Sequence, residues 1–286
     1  MKKKKAVILF FCLLFFSVRV NTARSAQDLP VKYVLISAVE LAPVDSILRE
    51  SIKKLLPTAE ETYLEYNSER AKKYIKELDI RFVPFVIFDK SITATDAFFH
   101  MVRNKMVDKV KGCYVIPEEQ LRMGEVMLLQ RKRAPDKLDV FVGGICPYAK
   151  QAQSFLRDFT REKDTDMDIR MRYLVEVHEF GISAQGGEEE IKEDLRQIVI
   201  QQYHPEKFRE YLLLAQQEGP KEALDKVGIS GSFIESKKEE ALKIMKADFA
   251  EAQLLGITHS PTFLWENQYL IPTIEMLKPH LQQSVR

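Results

Sequence analysis

Two α/β units in tandem are the architecture this sequence predicts, and three observations predict it. At 286 residues the chain is long for one domain and ample for two. The order strand, helix, strand, helix, proline-interrupted strand, strand runs twice along it, with a helical block interposed in the second run. A charged, proline-containing stretch, Arg131-Lys132-Arg133-Ala134-Pro135-Asp136, lies between the two runs. Alternating helices and strands favour a mixed sheet covered by helices on both faces.

The first unit, residues 27–133, opens with an apolar strand at Val31–Ser37. The spacing of Val44, Ile47, Leu48, Ile52, Leu55 and Leu56 predicts a helix, stopped by Pro57. Thr62–Tyr66 reads as a strand, and Asn67-Ser68 as an N-cap before a helix over Glu69–Leu78. Ile80–Phe88 is β-rich but contains Pro84, which suits the start of a strand preceded by a cis bond. Cys113–Ile116 and Val126–Leu129 are further strands. In the second unit, residues 137–286, Lys137–Val142 is a strand. Gly143–Ala149 is a loop running into a helix over Lys150–Thr160, and Asp168–Val175 is the next strand. A helical block from about 186 to 256 is punctuated at Pro205, Gly219-Pro220 and Gly228–Gly231. Thr258–Trp265, Asn267–Ile271 and a helix over Thr273–Gln283 complete it.

Residues 1–26 read as an address. Lys2–Lys5 are followed by an apolar run at Ala6–Val18, too short to span a bilayer, and then by small residues up to Ala26. This predicts a signal peptide and a periplasmic or secreted protein; the alternative is an uncleaved segment anchored in the membrane. The six basic residues of this segment, removed from the chain's 43, leave 37 Lys and Arg against 42 Asp and Glu. A mildly acidic body has no footprint for nucleic acid.

Beyond Cys12 the chain has two cysteines, Cys113 and Cys146, and five histidines (His100, His178, His204, His259, His280) in no ligand spacing. No metal and no cofactor is expected. A Cys113–Cys146 disulfide would need Cα atoms within about 7 Å, and the two lie in separate units. His259 stands out only because it precedes Ser260-Pro261. The constellation with chemical content is Cys146-Pro147-Tyr148-Ala149 after a strand, paired with Ser260-Pro261-Thr262 far downstream. Backbone N–H groups at a helix start favour a thiolate placed there, and Lys150 adds a cation.

On these residues, 137–286 resembles the DsbA-like branch of the thioredoxin superfamily. That branch carries Cys-Pro-x-Cys at the start of a helix, a helical insertion, and a cis-proline loop facing the redox cysteine. The resemblance gives Cys146 the place of the nucleophile, Pro147-Tyr148 that of the intervening pair, and Pro261 that of the cis-proline. Residues 27–133 resemble a second thioredoxin-like fold, with Pro84 in the cis-proline place and Leu41-Ala42-Pro43-Val44 where a dithiol motif would stand. The expected fold is therefore two tandem thioredoxin-like folds, the second with an inserted helical subdomain.

The departures restrict the chemistry. Ala149 occupies the place of the resolving cysteine, so Cys146 can form a mixed disulfide but cannot release it internally. Two readings stay open at this point. One is a non-catalytic or weakly active module that binds an extended peptide or protein client through Pro147, Tyr148, Ser260 and Pro261, within periplasmic thiol or protein-folding processes. The other is a monothiol disulfide oxidoreductase or isomerase acting through Cys146 with an external thiol partner. A third, purely structural role for the two units needs neither.

Overall fold

The computed structural model describes residues 30–163 and 167–284, and the expected leader at 1–26 lies outside the described residues. The chain forms two compact units. Unit 1 is the chain up to Arg131 together with Gln268–Glu275; unit 2 is Lys132–Asn267 together with the stretch from Met276.

Unit 1 begins with β1 (Lys32–Ser37), α1 (Ala42–Leu55), β2 (Glu60–Glu65) and α2 (Glu69–Leu78). Helix α1 starts two residues earlier than its apolar spacing predicts because Pro43, which has no N–H to leave unsatisfied, is accepted in a first turn. Ser68 caps α2 as expected, its hydroxyl accepting from the Ala71 N–H at 3.3 Å. There follow β3 (Phe82–Val83), β4 (Phe85–Phe88), α3 (Asp96–Arg103), β5 (Asp108–Val110), β6 (Cys113–Val115), α4 (Glu118–Leu121) and β7 (Val126–Leu128). A five-stranded sheet runs β2-β1-β4-β6-β5. Strands β1 and β2 are parallel, with Lys32 opposite Glu60 and Ser37 opposite Glu65; β4 is antiparallel to β1 and β6 to β4. All four side chains of β4 are buried, as a strand covered on both faces requires.

The run Ile80–Phe88 is not one strand. It divides at Pro84, where the Val83–Pro84 bond is cis. Strand β4 enters the five-stranded sheet, while β3 pairs antiparallel with β7. The other edge of β7 pairs with Tyr269–Ile271, from near the far end of the chain. The expected boundary at 131–136 therefore does not part the chain into two consecutive pieces: Gln268–Glu275, read from the sequence as part of the second half, belongs with unit 1. A buried edge needs a partner for its N–H and C=O groups, and the fully buried segment Tyr269–Ile271 supplies one.

Unit 2 contains β8 (Lys137–Val142), α5 (Pro147–Lys163) and β9 (Asp168–Tyr173), then a hairpin of β10 (Glu176–His178) and β11 (Gly181–Ser183) that periodicity did not reveal. The helical block resolves into α6 (Gly187–Tyr203), α7 (Pro205–Glu218), α8 (Pro220–Val227), α9 (Gly231–Ser236) and α10 (Lys238–Leu255), broken where Pro205, Gly219-Pro220 and Gly228 interrupt it. Strand β12 (Thr262–Trp265) follows the Ser260–Pro261 bond, which is also cis; β13 (Tyr269–Ile271) and α11 (Ile274–Ser284) end the described chain. Strands β8 and β9 are parallel, and β12 lies antiparallel on the other side of β8, with Thr262 opposite Phe141 and Trp265 opposite Leu138. Phe141, Phe263 and Tyr173 are fully buried here, each contributing about 1.5–3 kcal/mol of apolar burial.

One polar cluster is built into this core. Asp139 of β8 pairs with Arg172 of β9 at 3.0 Å, and Arg172 also reaches Asp248 of α10 at 2.8 Å, with Arg170 on the same carboxylate at 3.1 Å. Removing one member would strand a buried charge, which costs more than the intact cluster contributes.

Candidate functional site

Strand β8 ends at Val142, and the next four residues turn sharply into α5. The Cys146 N–H donates to the Gly143 carbonyl at 3.1 Å, and the Cys146 carbonyl accepts from the Lys150 N–H at 3.1 Å. Cys146 is thus the residue on which α5 begins, and Pro147 occupies the first helical position, where its missing N–H costs nothing. The thiol of Cys146 is free and half-buried. Pro147 and Lys150 are exposed, Tyr148 is 66% exposed, and Ala149 is 0% exposed. The position where a resolving thiol would sit is accordingly inside the protein and filled by a methyl group.

The Ser260 hydroxyl accepts a hydrogen bond from the Gly143 N–H at 3.0 Å. This bond joins the loop before Cys146 to the loop before Pro261 across 117 residues, so the two sequence-predicted segments lie side by side. His259 meets this region through its main chain. Its carbonyl accepts from Thr262 Oγ1 at 2.9 Å, and partial desolvation keeps the imidazole below its ordinary pKa. Cys113 lies in β6 of unit 1, and its thiol is free like that of Cys146.

Beneath the loop lies an acidic cluster. Glu190, Glu193 and Asp194 of α6 are all buried. Glu193 is well partnered: it accepts from Tyr211 Oη at 2.9 Å and Gln197 Nε2 at 2.8 Å, and it pairs with Arg196. Glu190 accepts from the Gly186 N–H at 2.6 Å with one oxygen. Its other oxygen lies 2.5 Å from where a Cβ on Gly143 would stand, and Cys146 Cβ lies 3.7 Å from the same point. Asp194, 0% exposed, has no completed hydrogen bond on either oxygen. Burial pushes its carboxyl up to about 9, the charges of Glu190 and Glu193 push the same way, and the Gly144 amide opposes them.

Glycine at 143 and 144 is what lets these carboxyls approach the loop. A Cβ on Gly144 would overlap Asp194 Oδ1 outright. Gly144→Ala should therefore lower stability by about 2–3 kcal/mol, the cost of forced overpacking, in urea unfolding. Asp194→Ala in the same chain should recover part of that loss; equal losses in the single and double variants would refute the steric argument.

In unit 1, the segment Leu41-Ala42-Pro43-Val44 holds no thiol. Leu41 is fully buried, and Val44 lies in the first turn of α1. The buried Asp45 there bonds Ser37 Oγ at 2.7 Å, and burial raises its pKa to about 6. Among the described residues no group of three or more His, Cys, Asp or Glu could hold a metal ion, and no helix is long and apolar enough to cross a membrane.

No family model matches the chain, and no curated protein matches it. Among solved structures, it is similar to a periplasmic thioredoxin-like protein from Salmonella enterica serovar Typhimurium, at 20% identity and a TM-score of 0.39, over 54% of this chain and 88% of that one. It is similar to DsbL from the same organism at 14% identity and a TM-score of 0.39, over 57% and 94%. Proteus mirabilis ScsC in a compact conformation aligns at 16% identity and a TM-score of 0.39, over 52% and 82%. The strand order itself carries the fold. A parallel β8/β9 pair around α5, an inserted helical block, and a cis-proline strand antiparallel to β8 make the thioredoxin plan with its DsbA-like insertion.

Proposed function

We propose that this protein is an exported thioredoxin-fold protein that exchanges disulfides through one thiol, Cys146, on an extended polypeptide client. The observation that supports this reading is the half-buried, free Cys146 thiol at the first turn of α5, joined to the Ser260-Pro261 loop through Gly143. Because the Ser260 hydroxyl is committed to Gly143, the main chain at Ser260 is what remains for a client strand. Pro147 and Tyr148 supply an exposed, uncharged rim. Export follows from the pattern of residues 1–26.

The chemistry balances as follows. The Cys146 thiolate attacks one sulfur of a client disulfide, forming a mixed disulfide and expelling the other sulfur as a thiolate. With Ala149 in place of a second thiol, release needs an external thiol, which attacks the mixed disulfide and returns Cys146 to its reduced form. The external thiol attacks the client sulfur, so the client is left joined to it by a new disulfide, and the client thiolate expelled in the first step can displace it to close a rearranged disulfide. A second reading, binding without exchange, is favoured by the exposure of Tyr148 and Ile145 beside the thiol.

The test is intact-mass analysis after incubation with oxidised glutathione at neutral pH. One glutathionyl adduct on Cys146, reversed by reduced glutathione and missing from Cys146→Ser, is expected. A protein that stays unmodified while still binding an unfolded client would favour the second reading.

A further inference from the structure

We infer that unit 2 carries a second, unrelated site: a cavity between α5, β9, α6 and α7 that binds a small organic carboxylate. The cavity has a volume of about 240 Å³. Since an apolar cavity of about 150 Å³ holds a benzene molecule, this one holds a body of roughly eight to ten heavy atoms. Leu156, Phe208, Leu212 and Met171 form apolar walls, which suit an aliphatic or aromatic body.

The polar lining selects the head group. Gln153 is 5% exposed and faces this cavity, and its Nε2 has no hydrogen-bond partner. An orphaned buried donor costs about 1–3 kcal/mol, and an acceptor in the cavity would recover it. The neighbouring polar groups are already engaged. Gln216 Nε2 donates to Gln153 Oε1 at 3.1 Å, Thr160 Oγ1 donates to the Arg157 carbonyl at 3.1 Å, and Gln201 bonds both the Met171 N–H and its carbonyl at 2.8 and 3.1 Å.

What has capacity left is cationic. Arg209 lines the cavity with no ion-pair partner among the described residues, and Arg157 pairs only with the adjacent Asp158 at 2.9 Å. Among the described residues Asp168, exposed, is the carboxylate in the lining, and Arg157 is already held by Asp158, so Arg209 is the guanidinium left without an ion pair. An amide donor and the Arg209 guanidinium beside apolar walls match a monocarboxylate, whose planar head accepts guanidinium bonds in pairs.

The probe is sodium octanoate, titrated by calorimetry into the Cys146→Ser protein so that thiol chemistry plays no part. Saturable one-to-one binding is expected, with neutral octanamide and 1-octanol at least tenfold weaker. Arg209→Ala, a surface change that leaves the core intact, should weaken octanoate about tenfold or more, as loss of a hydrogen bond to a charged group does. Leu212→Trp, which fills the cavity, should abolish binding in a protein whose circular dichroism is unchanged. No octanoate binding, equal affinity for 1-octanol, or binding indifferent to both substitutions would overturn the assignment.

Discussion

Replacing Ala149 by cysteine should give this protein dithiol exchange activity. Residues 146 and 149 stand at the start and in the first turn of α5, three apart, so their side chains lie on neighbouring faces of one turn. That spacing meets the short Cβ···Cβ separation a disulfide requires. A neighbouring thiol acts at a far higher effective concentration than any external one, so turnover should rise roughly a hundredfold or more in the absence of added thiol. The natural protein, assayed by insulin reduction with Cys146→Ser as the blank, should read near background. Because Ala149 is fully buried, the added sulfur should cost about 1–3 kcal/mol of stability through overpacking, visible as a lower midpoint in urea. A natural protein that turns over as fast as Ala149→Cys would end the resolving-thiol argument. Inactivity of both would mean that Cys146 does not reach client disulfides.

The second large effect concerns Asp194→Asn. In the unfolded chain this carboxyl has its ordinary pKa of 3.8; folding raises it to about 9, chiefly through burial. Between those values the folded state binds the extra proton, so stability falls as pH rises from about 4 towards 9. At pH 7 three units of this window have been crossed, a penalty of roughly 4 kcal/mol. Asparagine keeps the shape of the neutral acid and ionises in neither state, so Asp194→Asn should be more stable than the natural protein by up to that amount at pH 7.5. The two should converge near pH 4. Urea midpoints at pH 4, 6 and 7.5 read this directly, and an unchanged slope with pH would show that Asp194 is ionised in the fold.

The elements that a linear pattern can carry were legible. Cys146 at a strand-to-helix turn, Pro84 and Pro261 before β-rich runs, and breaks at Pro205 and Gly219-Pro220 follow from local chemistry. The acidic cluster was not, because no linear pattern tells a buried Glu190, Glu193 or Asp194 from the solvated acids around them on the same helix. Only the fold discloses that Tyr211 and Gln197 close over Glu193 and that the Gly143-Gly144 loop sits against the other two. Strand β3 is two residues long and β10 three, too short for periodicity to register. The partner of β7 lies more than 140 residues away along the chain, a pairing no local signal encodes.

That pairing of β7 with β13 has a consequence for how the protein is made. A chain emerging from the ribosome has every strand of the β2-β1-β4-β6-β5 sheet once Val115 is out. The edge of β7, at Val126–Leu128, must wait until Tyr269–Ile271 has been synthesised. While Lys132–Asn267 is being made, unit 1 holds an open strand edge, the kind of surface on which other chains add strands. A product truncated before residue 269 would keep that edge uncovered for its lifetime, whereas a chain that runs past Ile271 supplies the strand that covers it.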